Sequence, residues 1–286
     1  MAQEKKATKL TVKHFRSGVK PIWCPGCGDF SVLSSFYKAL VELNIPSEKV
    51  AIASGIGCSG RFPAFVKAYG FHGVHGRAVP VASGIKIARP DLKVFAVGGD
   101  GDGFSIGGGH LPHVARRNID LTYIVMDNEI YGLTKGQPSP TSAVGMKKKA
   151  SPYGVYDTPL NPLLMVLSYG ATFVARGFSS KPKQLTELIK RGTEHKGFSL
   201  IQVISPCVSF NDLYAHFKEL AVEVPEDHDT ADQAAAIQLA LDTEKLYLGV
   251  FFEEDRPTFT DNANRLIEQT QDPAYDFAAM AARFSQ

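Results

Sequence analysis

Asp91-Leu-Lys-Val-Phe-Ala-Val-Gly-Gly-Asp-Gly-Asp102 is a short apolar run that ends in alternating glycine and aspartate. A second run of the same build, Leu121-Thr-Tyr-Ile-Val-Met-Asp-Asn128, follows it. Short apolar runs closed by glycine read as strands buried on both faces of a parallel sheet. Residues 104–118 between them have the length and polarity of one crossover helix. A right-handed βαβ connection lays the two strands side by side, with their carboxyl ends at one edge. Open α/β sheets bind ligands at that edge. Asp100 and the Asn128 side chain can there offer hard oxygen ligands to Mg²⁺, which keeps other positions for phosphate oxygens and water. An ordinary glycine-rich turn with a strand-end Asn is the plainer reading.

Outward from this unit, helices and strands alternate. Helices are expected near 30–43, 78–88, 162–168 and 182–194, and further strands at 50–54, 171–175 and 200–204. Such alternation predicts an α/β fold with a doubly wound, mostly parallel sheet. Residues 1–20 read as a polar N-terminal arm, 21–207 as the α/β domain, and 208–286 as an acidic C-terminal arm with short helices. That arm packs on its own domain or on a partner subunit. The stretch 132–162 is long for a loop in a compact domain, and such loops are commonly functional. Its Lys147-Lys-Lys149 run reads as a solvated tip.

The chain has 286 residues, 44% of them hydrophobic, enough for a full core. Met1 to Lys20 is charged and lacks the apolar centre of a signal peptide. No run approaches the roughly 20 apolar residues that span a bilayer. The sequence thus predicts a soluble, cytoplasmic protein, and nothing in it points to a membrane or nucleic-acid partner. The formal charge of +2 hides an asymmetry: 26 Lys and Arg against 13 Asp and Glu in residues 1–207, but 5 against 16 in residues 208–286. A basic body suits anionic ligands and acidic partners, although body and tail also simply neutralise each other.

Four cysteines are present: Cys24, Cys27, Cys58 and Cys207. A reducing compartment disfavours structural disulfides. Cys24-Pro-Gly-Cys27 can turn two thiolates onto one centre, and Cys58 and Cys207 each follow an apolar strand. Four thiolates suit structural zinc or an iron–sulfur cluster, and plain buried cysteines remain open.

Gly99-Asp-Gly-Asp102 with Asn128 resembles the thiamine-diphosphate signature. Taken with Trp23-Cys-Pro-Gly-Cys-Gly28, Gly55-Ile-Gly-Cys-Ser-Gly60, His75-Gly-Arg77 and Asp127-Asn-Glu-Ile-Tyr-Gly-Leu-Thr-Lys-Gly-Gln137, it resembles a 2-oxoacid:ferredoxin oxidoreductase β subunit over residues 20–210. The Tyr131-to-Gln137 form is similar to the branch that uses 2-oxoglutarate or a broad set of 2-oxoacids. The resemblance implies thiamine diphosphate, Mg²⁺ held by Asp100, Asn128 and the Ile130 carbonyl, and one 4Fe–4S cluster on Cys24, Cys27, Cys58 and Cys207. It implies oxidative decarboxylation to an acyl-CoA and CO₂, with electrons passing to ferredoxin, and the reverse carboxylation is chemically open. A separate α subunit is implied to supply the glutamate that activates the cofactor. A pyruvate or broad specificity, a non-redox thiamine decarboxylase subunit with zinc, and a silent scaffold subunit are the alternatives.

Gly55 to Gly60 also fits the dinucleotide fingerprint, which expects an acid about 20 residues on to hold a ribose. Residues 61–90 contain no Asp or Glu, so a loop against thiamine is the better reading. The cofactor contacts expected are Ile56, Gly57, Cys58, Ser59, His75, Gly99, Asp100, Gly101, Asp102, Asn128, Ile130, Tyr131, Gly132, Leu133, Thr134 and Lys135. By resemblance His75 faces the cofactor. Arg61 is placed to pair bidentately with a substrate carboxylate, and Lys135 to meet the diphosphate or the reacting acid. For each of the three, a solvated or structurally satisfied side chain is the plainer reading. Asp102 is expected as a hydrogen-bond partner at the site edge, and Trp23 as a cluster shield or a core residue.

Overall fold

The computed structural model describes residues 9–270 and residue 282. Its elements in chain order are α1 (Val12–Phe15), α2 (Asp29–Glu42), β1 (Val50–Ser54), β2 (Tyr69–His72), α3 (Ala78–Ala88), β3 (Lys93–Gly99), α4 (Leu111–Arg116), β4 (Leu121–Asp127), β5 (Ile130–Tyr131) and β6 (Gln137–Pro138). The chain continues through α5 (Pro162–Ser168), β7 (Phe173–Phe178), α6 (Pro182–Glu194), β8 (Phe198–Ile204), α7 (Tyr214–Leu220), β9 (Ala221–Glu223), α8 (Gln233–Leu241), β10 (Leu246–Glu253) and α9 (Phe259–Thr270).

Eight strands form one sheet in the order β2-β1-β3-β4-β8-β7-β10-β9. The ladders from β2 through β7 are parallel, and β10 runs antiparallel to β7. Successive side chains of a strand point to opposite faces, and that alternation sorts the core into two layers. On one face Val94 and Ala96 of β3 and Leu121, Tyr123 and Val125 of β4 meet α3, α4, α5 and α8. On the other, Phe95 and Val97 of β3 and Ile124 and Met126 of β4 meet α2 and α6. The α6 helix buries Leu185, Leu188 and Ile189, an i, i+3, i+4 stripe. Phe95 stands edge-on to Phe36 of α2 with ring centroids 4.8 Å apart.

The register positions the chemistry. Gly99 of β3 lies opposite Met126 of β4, and Asp127 of β4 opposite Ile204 of β8. After β1 the chain turns outward to β2, whereas after β3 it continues inward to β4. The point between β1 and β3 is therefore a topological switch, where such sheets open a crevice.

Three local features differ from the expectation. The single crossover helix is broken: a wide π-type turn covers Gly101–Ile106, a tight turn covers Gly108–His110, and only Leu111–Arg116 is α-helical. Gly107-Gly-Gly109 carries no side chain to hold a regular helix there, and Ser105 leaves helical geometry altogether. Strand β2 was not expected, because an edge strand with all four residues exposed shows no apolar alternation. The C-terminal segment holds strands as well as short helices: β10, a run of Leu, Val and Phe, joins the main sheet, and β9 pairs beside it. Of the expected N-terminal arm, residues 1–8 lie outside the described residues, as do 271–281 and 283–286 of the C-terminal one. Among the described residues no helix is long and apolar enough to cross a membrane.

Phe95→Ala removes a fully buried ring that joins β3 to α2. It is expected to cost about 3–5 kcal/mol of stability, measured by chemical denaturation. A loss below about 1 kcal/mol would mean that the layer repacks around the gap.

Candidate functional site

A cleft of ≈ 590 Å³ opens at the switch point between β1 and β3. Ile56, Gly57, Cys58 and Ser59 line it from the loop after β1, and His75 from the turn before α3. Gly99, Asp100, Gly101 and Asp102 line it from the end of β3. Asn128, Ile130, Tyr131, Gly132, Leu133 and Thr134 line it after β4, joined by Gln137, which sequence reasoning missed. Two expected residues do not line this cleft. Arg61 lies half-buried in the turn after Cys58, and its charge acts on the Cys58 thiol. Lys135 is exposed at a loop position with φ +77°.

Asp102 holds the near wall together. Its Oδ1 accepts from the backbone N–H of Ile56 at 2.8 Å, the N–H of Gly76 at 2.7 Å, and His75 Nδ1 at 2.9 Å. A Cβ on Gly55 would collide with the Asp102 carboxylate, so only glycine lets this loop close on it. Because a carboxylate oxygen accepts, His75 donates through Nδ1 and its other ring nitrogen is left unengaged by Asp102. Tyr131 closes the opposite side by donating its hydroxyl to the Gly101 carbonyl at 3.0 Å.

Asp100 belongs to a cluster of carboxyl groups. Asp100 and Asp127 are both buried, and one hydroxyl lies between them: Thr141 Oγ1 is 3.0 Å from Asp100 Oδ2 and 2.8 Å from Asp127 Oδ1. A hydroxyl carries one proton, so it cannot donate fully to both. Burial raises the pKa of each, and the Asp127 charge raises Asp100 further. Glu129, at φ 57°, is pushed up to about 8 by burial and by Asp127 and Asp100. Gln202 Nε2 donates to Asp127 Oδ2 at 2.8 Å, and Arg176 Nε donates to Gln202 Oε1 at 2.8 Å. The Arg176 guanidinium is thus one amide removed from the acids, and burial lowers its pKa to about 10.

This donor set suits a hard cation. Asp100 has no lysine or arginine partner among the described ion pairs. Asn128 Oδ1 accepts from the Ile130 N–H at 3.0 Å, which folds the amide back toward the strand end. A carboxylate, an amide oxygen and a carbonyl are oxygen ligands of the kind Mg²⁺ takes alongside phosphate and water.

The four cysteines are all free. A Cβ on Gly132 would lie 3.4 Å from Cys207 Sγ and 4.0 Å from Cys58 Sγ, so both thiols flank a glycine of the cleft wall. Burial, with the Asp29 charge second, raises the Cys27 thiol, and the same causes push Cys58 up to about 11. Among the described residues no three His, Cys, Asp or Glu side chains are gathered tightly enough for a single metal ion. The thiols share one end of the fold: Cys27 feels the charges of Cys207 and Cys58, and Cys58 those of Cys207 and Cys24. Trp23, in the core, donates its indole N–H to the Cys58 carbonyl at 2.8 Å and packs edge-on against Phe30 and Phe65.

Thr141, Gln202, Arg176 and Asp29 were not read from the sequence. Thr141 lies in the long loop whose length marked it as functional, and Asp29 directly follows the cysteine pair and Gly28. In that loop Lys147 and Lys149 are exposed, while Lys148 ties the tip down by donating to the Phe210 carbonyl at 2.6 Å.

Residues 55–203 match the family of the thiamine pyrophosphate enzyme C-terminal binding domain, and 207–268 match the C-terminal family of the pyruvate ferredoxin oxidoreductase β chain. The match defines the fold as the thiamine-pyrophosphate-binding domain of an enzyme. The β subunit of 2-oxoacid:ferredoxin oxidoreductase 2 from Aeropyrum pernix is 39% identical, aligning 91% of this chain and 88% of the relative. The 2-oxoglutarate synthase subunit KorB of Methanocaldococcus jannaschii is 39% identical over 90% of this chain and 97% of its own. A 2-oxoglutarate:ferredoxin oxidoreductase from Magnetococcus marinus, solved with 2-oxoglutarate, coenzyme A and succinyl-CoA bound, superposes with a TM-score of 0.93 at 46% identity, covering 99% of this chain and 98% of that one. The chain belongs to the β-subunit family of the 2-oxoacid:ferredoxin oxidoreductases.

Thr141→Val keeps the side-chain shape and removes the hydroxyl that lies between Asp100 and Asp127. It is expected to cost about 1–3 kcal/mol in urea unfolding, since two buried carboxyl groups lose their shared donor. An unchanged midpoint would show that the hydroxyl satisfies neither.

Proposed function

We propose that this β subunit, with its α partner, oxidatively decarboxylates 2-oxoglutarate to its acyl-CoA and CO₂ and passes two electrons to ferredoxin. The observation that carries the reading is the shared wall: Cys58 lines the same cleft as Asp100 and Asn128, and Cys207 stands behind Gly132 of that cleft. When bound, thiamine diphosphate would supply a carbon nucleophile for the ketone carbon of a 2-oxoacid and an electron sink for the loss of CO₂, and a 4Fe–4S cluster would carry the two electrons away singly. Asp100, Asn128 and the Ile130 carbonyl hold Mg²⁺ and through it the diphosphate. Cys24, Cys27, Cys58 and Cys207 hold the cluster, a reading favoured over zinc because a ferredoxin-linked oxidation needs an electron carrier beside the cofactor. Asp102 fixes His75 so that its second ring nitrogen serves the cleft, and it holds Ile56 and Gly76 against the cofactor. The α subunit supplies the group that activates the cofactor. The substrate reading is supported by the 2-oxoglutarate and succinyl-CoA bound in the Magnetococcus relative and by the 2-oxoglutarate name of the methanogen relative. The same electron path permits reductive carboxylation.

Protein co-expressed with its α subunit and purified without oxygen is expected to contain iron and acid-labile sulfide. It is expected to reduce a viologen dye only with 2-oxoglutarate, coenzyme A and thiamine diphosphate together. Zinc without sulfide would overturn the cluster, and faster turnover of pyruvate would overturn the substrate. Asp100→Ala is expected to abolish Mg²⁺-dependent thiamine diphosphate binding in calorimetry, and retained binding would remove Asp100 from the metal.

Arg61 and Lys135 lie outside the open cleft of the β subunit alone, and we assign both to the rim that the α partner completes. Arg61→Ala is expected to raise KM for 2-oxoglutarate more than for pyruvate, because a guanidinium pairs with a second carboxylate. Equal effects on both acids would mean that Arg61 serves the Cys58 loop and not the substrate.

A further inference from the structure

The segments bearing the four cysteines are remote in sequence, yet one residue links all three of them. Asp29 is 1% exposed and stands two residues after Cys27. Its Oδ2 accepts from the hydroxyl of Ser59, the residue after Cys58, at 3.1 Å. Its Oδ1 accepts from the hydroxyl of Ser205, two residues before Cys207, at 2.8 Å. The Asp29 charge and backbone both act on the Cys27 thiol, two residues before it. The turn that carries Cys24 is closed onto this segment by the Cys27 N–H, which donates to the Cys24 carbonyl at 3.0 Å.

The approach is built into the backbone. A Cβ on Gly28 would lie 2.5 Å from Ser205 Oγ, 2.7 Å from Ser179 Oγ and 2.9 Å from Ser205 Cα. Any larger residue would push the start of α2 away from the Cys207 segment. A buried carboxyl met only by two serine hydroxyls is a costly way to fill space, since an apolar side chain would avoid the desolvation. No lysine, arginine or histidine forms an ion pair with Asp29 among the described residues. Its two oxygens, pointing to two different cysteine segments, do what an apolar residue cannot: they fix the separation of those segments. Groups that orient metal ligands in this way commonly matter about 10–100-fold for metal retention.

We propose that Asp29 is the positioning residue of the four-cysteine site. It locks the Cys24–Cys27, Cys58 and Cys207 segments to one another so that their thiolates meet a 4Fe–4S cluster together. The inference rests on the cluster reading above and adds the residue that assembles the site. Asp29 lies outside the cleft lining and acts through the cysteine segments alone.

The test is iron release from the αβ complex to a ferrous chelator under anaerobic conditions, followed with the visible absorbance of the cluster. Asp29→Ala is expected to release iron about 10–100-fold faster than the unchanged complex. Asp29→Asn, which keeps the volume but only one acceptor oxygen, and Ser205→Ala, which removes one tie, are expected to fall between. Thiamine diphosphate binding and melting temperature are measured on the same samples. Release at the unchanged rate in Asp29→Asn and Ser205→Ala, with the cluster present, overturns the positioning role and leaves the cluster reading intact. An unchanged complex without iron and sulfide overturns the cluster reading and the inference with it. Should Asp29→Ala fail to fold, the Asn and Ser205 variants decide the matter.

Discussion

The parallel ladder that joins β1, β3, β4 and β8 ends nearly flush at one edge, and the chemistry of this chain depends on that alignment. Gly99 opposite Met126 and Asp127 opposite Ile204 bring loops from distant parts of the sequence to one place. A parallel sheet covered by helices on both faces has no freedom to slip, because a one-residue shift would move every apolar side chain to the wrong layer. Packing of Phe95, Ile124 and Met126 against one layer, and of Val94, Tyr123 and Val125 against the other, therefore sets the cofactor geometry indirectly.

What the flush edge gathers is mostly buried carboxyl groups without neutralising cations. Asp100 and Asp102 line the cleft, Asp127 and Glu129 lie close enough to Asp100 to act on its charge or feel it, and Asp29 is buried between the cysteine segments. Burial makes each costly, and the chain answers with hydroxyls, amides and backbone N–H groups rather than with salt bridges. Arg176 comes nearest to being a counter-charge, yet it reaches Asp127 only through Gln202.

The sequence made the sheet legible where its strands are buried on both faces. Strands β1, β3, β4 and β8 stand out as apolar runs, and the motifs at their ends named nearly every residue of the cleft. Strand β2 was hidden because it lies at the exposed edge, where nothing forces a pattern on it. The broken helix after Asp102 was hidden for another reason: the carboxylate is pulled toward Ile56 and Gly76, and that tertiary demand overrides the helical spacing. Thr141 and Asp29 make their decisive contacts with residues 41 and 176 positions away. A single sequence read locally carries no signal for such pairs.

The antiparallel strand β10 changes what the acidic end of this chain is. The two family matches divide at 203 and 207, as if a detachable segment began there. Yet β10 covers the open edge of β7, and its Phe251 ring lies 5.4 Å from the Arg176 guanidinium. The break between families is therefore not a break in folding. A ribosome that has made only the first two hundred residues has produced a sheet with a raw edge and an uncovered cation. The far end of the chain must arrive before the half that holds the cofactor is finished.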